Sequence, residues 1–303
     1  MVMRATRNWL VVVLVMMFGG SFASAGISIN NLIVSMLDPS IDSVILEEDD
    51  DATYIIDRNG NGILDVGDDF GGMIVVQSLR RAFPPGATVP IGVTTPYNEL
   101  TGEYLLRVTS VVGGPGAWQF TFGPNPAFES LYGAGAVMRL FDDPAQDVNF
   151  NAAGGNAGAI ATATNGTLWA LLGIDVSTPA VTFWQIQSKF NNITTMINQP
   201  TQGVGSAFAN GAFSLNILPV GAEVEQLAIV TNYLGSDLTG TYALFGMDSN
   251  PLTPGLQRAL TNFDLVSDAD MSTIIAPEGF IPEPGTLSLL AAAGILAMRR
   301  KRA

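Results

Sequence analysis

The sequence predicts a mainly β protein, a β-sandwich or jelly-roll-like single domain, and three observations carry this prediction. The chain between residues 27 and 276 contains many short apolar runs rich in β-branched and aromatic residues, separated by Gly, Pro, Asn and Asp. Charged residues make up only 13% of the chain and glycines number 33, a composition that suits sheets joined by turns. Helical periodicity is scarce. Many short strands without alternating helices are typical of sandwich folds.

The first 25 residues resemble a secretory signal peptide in their order. Arg4 and Arg7 precede a short apolar core at 10–18, and small residues follow as far as the tripeptide ASA that ends at Ala25. This order predicts an N-terminal signal helix, export, and cleavage by signal peptidase after Ala25. The alternative is an uncleaved membrane anchor, which the short apolar core disfavours.

The exported domain is predicted to span 26–280. Its β-like runs are 27–34, 43–46, 52–56, 73–79, 104–112, 118–122, 136–141, 167–172, 180–187, 212–218, 227–234, 239–245 and 271–276. Helices are predicted at 254–263 and 188–198. The Gly- and Ala-rich stretch 151–166 is predicted as a loop and a possible seam between subdomains.

An acidic run, Glu47-Glu48-Asp49-Asp50-Asp51, interrupts the first β-like runs. A run of like charges is most often solvated, so the sequence predicts an exposed turn here.

Four aromatic residues raise the question of a sugar-binding face: Trp118, Trp169, Trp184 and Tyr233. Each lies in a β-like run, which favours packing in the core over stacking against a sugar.

The stretch DRNGNGILDVGD, residues 57–68, nearly fits the calcium-loop pattern of an EF-hand. The predicted calcium ligands are Asp57, Asn59, Asn61, the Ile63 carbonyl, Asp65 and Asp68. The last position is Asp where the pattern has Glu, and the flanking residues are β-like, so the loop is predicted to join two strands. A dockerin would carry two such loops, and the sequence contains one. The alternative is a turn in which Asn, Asp and Gly only satisfy the backbone.

The composition excludes several other chemistries. The chain has no cysteine and no histidine, which excludes disulfides, thiol nucleophiles and Ser-His-Asp triads. The formal net charge is −14, so a nucleic-acid partner is not expected. Calcium bound by oxygen ligands is the one cofactor that the sequence predicts.

The C-terminal segment, 281–303, combines three parts. Pro282-Glu283-Pro284 is held extended by its prolines, residues 286–298 form a short apolar segment, and residues 299–302 are all basic. A basic cluster after an apolar helix stays on the cytoplasmic side of a membrane. Thirteen residues of helix rise only about 20 Å, which suits a transient anchor. A plain membrane anchor is the alternative.

These three parts, in this order at the C-terminus, resemble the PEP-CTERM sorting signal. The resemblance covers about the last 22 residues. It implies cleavage by an exosortase-type enzyme in a Gram-negative bacterium that makes exopolysaccharide. The protein would pass through the inner membrane and reside on the cell surface or in the extracellular matrix.

Three functions remain open at this point. The first is a structural or binding role at the surface, with calcium stabilising one loop. The second is a carbohydrate-binding module for exopolysaccharide. The third is a His-free glycoside hydrolase or lyase that works through carboxylates, although no spacing in the sequence identifies a carboxylate pair.

Overall fold

The computed structural model describes residues 26–175, 177, 181–199, 207–219, 222–232, 234–246 and 262–276. Within these ranges the protein is mainly β, as the sequence predicts. The predicted signal helix with Ala25, the Pro282-Glu283-Pro284 motif and the predicted C-terminal helix at 286–298 lie outside the described residues.

Twelve strands are present in the described ranges. They are β1 Ser43–Ile56, β2 Asp69–Phe83, β3 Thr88–Pro90, β4 Glu99–Gly114, β5 Ala117–Pro124, β6 Ala136–Asp143, β7 Thr167–Gly173, β8 Phe183–Ser188, β9 Ala209–Ile217, β10 Ile229–Val230, β11 Leu238–Phe245 and β12 Leu265–Ile275. Most of the predicted runs fall on these strands, and the strands extend beyond the runs at one or both ends.

Four short α-helices and one 3-10 helix accompany the strands. They are α1 Ile29–Met36, α2 Pro126–Tyr132, α3 Asn156–Ala163, α4 Ile193–Ile197 and the 3-10 helix Glu223–Gln226. No helix in the described ranges has the length and apolar character needed to cross a bilayer.

All twelve strands belong to one antiparallel sheet that closes on itself. The hydrogen-bonded path runs β3-β2-β1-β12-β11-β9-β7-β6-β4-β5-β8, and β2 also pairs with β4 while β9 also pairs with β8. The long strands β4 and β9 each change partner along their length, because β6 and β7 bridge them at one level and β5 and β8 at another. The closed sheet therefore encloses an interior, and strands from all around the sheet direct side chains into it.

The main hydrophobic core fills this interior. Leu100 and Leu106 of β4, Phe120 of β5, Phe213 of β9 and Leu265 of β12 are all 2% exposed or less and belong to one buried cluster. A second, smaller cluster lies on the outer face, where Ala159 and Ala163 of α3 are fully buried and share the cluster with Met73 and Val75 of β2. The small alanine side chains let this helix approach the sheet closely.

Several predicted elements differ from the structure. The run at 27–34 is largely helix α1, whose Ile29, Leu32, Ile33 and Met36 follow helical spacing after the Ser28 cap. The stretch predicted as a loop at 151–166 contains α3. The helix predicted at 188–198 shortens to α4, since β8 continues to Ser188.

Candidate functional site

The candidate calcium loop joins β1 to β2, and Asp57 organises its first half. The Asp57 carboxylate accepts hydrogen bonds from the backbone N–H groups of Gly60 at 2.7 Å, Asn61 at 3.3 Å and Gly62 at 2.7 Å. Gly60 and Gly62 have φ values of 72° and 75°, a left-handed conformation that glycine adopts without strain. The N–H donors, that of Gly62 most strongly, lower the pKa of Asp57.

Three predicted ligands converge on one point in the loop. The side-chain amides of Asn59 and Asn61 donate to the Asp65 carboxylate at 3.0 and 2.8 Å. The oxygens of the same two amides accept from the backbone N–H groups of Asn61 at 3.0 Å and of Ile63 at 2.7 Å. The three side chains could present oxygen to a hard cation only if the amides turned and gave up these backbone hydrogen bonds.

The Ile63 carbonyl faces the inside of this loop. Ile63 forms an isolated antiparallel bridge with Asn192, made by hydrogen bonds from Leu64 N to Asn191 O at 2.7 Å and from Ile193 N to Gly62 O at 3.0 Å. The Ile63 N–H points the other way and donates to the Asn61 side chain at 2.7 Å. Since the N–H and C=O of a bridged residue share one edge, the Ile63 carbonyl also faces the loop.

The last predicted ligand, Asp68, has a different role in the structure. Its fully buried carboxylate accepts from the backbone N–H of Arg58 at 2.8 Å and of Asp65 at 2.9 Å. These bonds tie the end of the loop to its beginning. Asp68 is therefore placed to hold the loop closed, and its carboxylate contacts the backbone N–H of Asp65.

The base of the loop is anchored in the core. Leu64 is 2% exposed and belongs to the main cluster. The buried Asp69 carboxylate accepts from both Arg58 and Arg107, the latter at 2.8 Å. The pairing with residues 191–193 could not be read from the sequence, because that partner lies more than 120 residues away.

Acidic side chains would supply only a minority of the oxygen ligands for a hard cation in this loop. Among the described residues, no group of three or more Asp, Glu, His or Cys side chains is arranged to hold a metal. Asn59, Asn61, Asp65 and the Ile63 carbonyl are mostly uncharged ligands, so water would complete the six to eight oxygens that calcium takes. Such a site belongs in the weak range of calcium affinities.

The acidic run at 47–51 contradicts its prediction as a solvated turn. It lies in the middle of β1, and alternate side chains point into the closed sheet: Glu47 is 0%, Asp49 2% and Asp51 6% exposed. Asp49 accepts from Ala269 N at 3.0 Å, whereas neither Glu47 oxygen has a hydrogen-bond partner within the part of the chain that the structure describes.

Burial is the main cause of the raised pKa values of the inward-facing acidic residues of β1. It raises the pKa of Glu47 to about 7. Burial, and next the neighbouring Asp51 carboxylate, raises the pKa of Asp49 well above its ordinary value. Asp49 and Asp51 also line an interior cavity of about 10 Å³, with Tyr104, Tyr242 and Ser267 around it; that is room for about one water molecule.

The aromatic residues mostly occupy the core. Trp169 is 1% and Trp184 3% exposed, and Trp184 stacks on Phe213 with a ring separation of 4.6 Å. Trp118 is half-buried and packs against the main cluster. Core packing is thus confirmed for these three, and Tyr233 lies outside the described residues.

Comparison with protein-family models, with curated proteins and with solved structures gave no significant match.

Proposed function

We propose that this chain is an exported protein of the cell surface or extracellular matrix, with a structural or binding role and one calcium-stabilised loop. Export rests on the signal-peptide pattern that ends at Ala25, and sorting on the C-terminal Pro-Glu-Pro motif, apolar segment and basic cluster. Signal peptidase and an exosortase-type enzyme are the processing partners. The apolar segment at 286–298 anchors the chain transiently in the inner membrane of a Gram-negative bacterium.

Within this proposal the closed sheet has a sandwich-like or jelly-roll-like cross-section. Side chains on strands that do not pair meet across the interior: the rings of Tyr104 on β4 and Trp184 on β8 are 5.3 Å apart. The Trp184 indole also donates to the Tyr242 hydroxyl on β11 at 2.7 Å. Such short distances suit two walls packed face to face.

The observation that carries the calcium part is the convergence of Asn59 and Asn61 on Asp65. A turn that only satisfies its backbone does not need two amide side chains directed at one carboxylate. The Ile63 carbonyl, directed into the same loop, adds a fourth oxygen ligand.

Calcium should therefore raise the melting temperature. A ligand at about 100 times its Kd stabilises by about 2.7 kcal/mol. With a Kd of ~10⁻⁴ M and about 10 mM calcium, the melting temperature should rise by roughly 5–10 °C relative to chelator. Asp65→Ala and Asp57→Ala should abolish the rise, and the exposed Asp42→Ala should keep it. Equal melting temperatures in calcium and in chelator would show that the loop is a turn that does not bind calcium.

Processing of the tail is tested separately. Replacing Pro282 and Pro284 with alanine removes the residues that hold the cleavage region extended, so the variant should keep its tail and remain in the membrane fraction. Pro277→Ala, which lies outside the motif, should be processed normally. Mass spectrometry of the C-terminal peptide measures the outcome. The sorting proposal would be contradicted if both variants had the same C-terminal residue as the unaltered protein.

A carbohydrate-binding role is the second candidate, and one observation favours it: an open groove on the outer face of the sheet that lies apart from the calcium loop. Exopolysaccharide would be its ligand class.

A further inference from the structure

An open groove of about 490 Å³ lies on the protein surface where β2 leaves β4 and pairs with β3. Its walls are residues 75–77 of β2, residues 91–93 after β3, and residues 148–151 before α3. The volume lies within the ~300–1,000 Å³ range of small-molecule sites. Gln77, Asn149 and Asn151 present exposed amide side chains along these walls.

Glu99, the first residue of β4, lines the groove and carries its one formal charge. The side chain is 2% exposed. One carboxyl oxygen accepts from Val148 N at 3.2 Å, and the other, Oε1, has no hydrogen-bond partner within the described part of the chain. A buried carboxyl group with an open acceptor position is costly unless a ligand completes it.

Gly92 lies against the Glu99 side chain, whose Oε1 atom is shielded from solvent. A Cβ atom at Gly92 would lie 3.4 Å from Glu99 Cγ and 4.0 Å from Oε1. Gly92 also has a φ of 82°, a conformation that other residues rarely adopt. Any side chain at this position would therefore partly cover the carboxyl group.

The rim beside Gly92 is held in an uncommon backbone conformation. Thr94 and Gln146, with φ values of 73° and 52°, are the non-glycine residues in the described ranges that adopt positive φ. The Gln146 side chain donates to the carbonyls of Thr95, at 3.3 Å, and Tyr97. This contact joins the segment that precedes the wall at 148–151 to the segment that follows the wall at 91–93.

The charged groups that act on Glu99 are both negative. Asp143 of β6 and Asp147 of the following loop are the acidic groups that act on it, and no lysine or arginine lines the groove. The neighbouring residues of β2 and of the segment after β3 carry no charge. Burial raises the pKa of Glu99 to about 7, and the two aspartates add to this effect. A cationic ligand fits this field and an anionic one does not.

We propose that the groove is a binding site for an amino sugar, whose protonated amine lies beside the Glu99 carboxyl group; this inference rests on the carbohydrate-binding role proposed above. The amine supplies the positive charge and the hydrogen-bond donors that Oε1 lacks. The sugar hydroxyls meet the amides of Gln77, Asn149 and Asn151, and the ring occupies more of the groove volume than a linear amine would.

Binding is coupled to proton release. Below about pH 7 the free Glu99 carboxyl group is largely protonated. A bound ammonium group favours the carboxylate and displaces that proton, so affinity rises as pH increases from about 5.5 towards about 7 and falls again at higher pH, where the weakly basic sugar amine loses its own proton.

Isothermal titration calorimetry of the full chain tests the proposal with a β-1,4-linked glucosamine disaccharide. The N-acetylated disaccharide keeps the sugar rings but carries a neutral and larger acetamide group in place of each amine, and it should bind at least about tenfold more weakly. At about pH 6, repeating the titration in two buffers of different ionisation enthalpy should show release of about one proton per ligand. Lysine methylamide, a linear amine, should bind at least about tenfold more weakly than the disaccharide.

Three variants locate the site. Glu99→Gln should weaken binding at least about tenfold and abolish proton release. Val93→Lys places a cation at the 58% exposed rim position and should weaken binding several-fold without altering buried contacts. Glu225→Gln removes an equal charge from an exposed site elsewhere and should bind as the unaltered protein does.

Absence of disaccharide binding would overturn the proposal. Equal binding of the N-acetylated sugar, unchanged affinity in both Glu99→Gln and Val93→Lys, or preferential binding of lysine methylamide would also overturn it. The outcome is independent of the calcium test, because no loop residue lines the groove.

Discussion

Asn30 shows how a single buried side chain can join three elements. Its side-chain oxygen accepts from the indole N–H of Trp169 on β7 at 2.8 Å, and its amide donates to the Glu223 carbonyl in the 3-10 helix at 2.9 Å. Asn30 itself lies on α1 and is 5% exposed. Helix α1 is thus attached to the closed sheet by polar as well as apolar contacts.

Asn30→Ala should destabilise the protein by about 2–4 kcal/mol, because it leaves a buried indole N–H and a backbone carbonyl without their partners. Urea unfolding measures the free energy. The neighbouring Asn31 is exposed and serves as the matched control, since Asn31→Ala should change stability by less than about 0.5 kcal/mol. Equal effects of the two substitutions would show that the Asn30 contacts contribute nothing.

The acidic residues of β1 show what single-residue reasoning misses. Glu47 and Asp49 belong to a run that composition alone marks as solvated. Their burial depends on the strands on either side, because β12 residues 265–275 and β2 residues 69–83 pair with β1 along most of its length. Alternation in a strand then directs Glu47, Asp49 and Asp51 inward together, and no local signal in the run indicates this.

At the scale of elements, strands were easier to predict than helices. β-Branched and aromatic residues between turn residues marked β4, β5, β6 and β7 correctly, since local propensity and burial agree there. The Ile and Val residues of α1 favour a strand, so the sequence predicts one at 27–34, although the Ser28 cap and the spacing of Ile29, Leu32, Ile33 and Met36 indicate a helix. Helix α3 is not predicted, because the Gly- and Ala-rich composition of 151–166 favours a loop.

The sequence predicts the loop at 57–68 itself, but it does not predict the contacts that the loop makes with distant residues. The spacing of Asp57, Asn59, Asn61 and Asp65 predicted a tight turn with inward side chains, and the hydrogen bonds show that turn. The backbone bonds of Asp68 and the bridge to Asn192 depend on packing against distant residues. Calcium binding itself stays a prediction.

At the scale of the whole molecule, order along the chain does not reveal the closure of the sheet. The first long strand pairs with the last, Ser43 opposite Ile275. Closure also brings acidic groups together with few cations among them. Burial raises the pKa of Glu47, Asp49, Glu99, Asp142, Asp143 and Asp264, whereas hydrogen bonds lower it for Asp38 and Asp57.

The balance between carboxyl groups with a raised pKa and those with a lowered pKa determines how the free energy of unfolding depends on pH. A carboxyl group whose pKa is raised on folding holds its proton in the folded state after the unfolded chain has lost it. Stability is then greatest below the unfolded pKa and falls as pH rises towards the folded pKa. For Glu47 the pKa rises from its ordinary value of 4.5 to about 7, which corresponds to roughly 3 kcal/mol over that interval.

The free energy of unfolding, measured by urea titration in chelator, should therefore fall between about pH 5 and pH 7.5, contrary to the rise expected for a protein whose acids are paired with cations. Glu47→Gln removes one titrating group and should reduce the slope by up to about 1.4 kcal/mol per pH unit. Glu225→Gln, at an exposed position, should follow the unaltered protein. Stability that rises steadily from pH 5 to 8 would mean that the interior carboxyl groups are ionised and compensated by cations, because only bound positive charge could offset their burial.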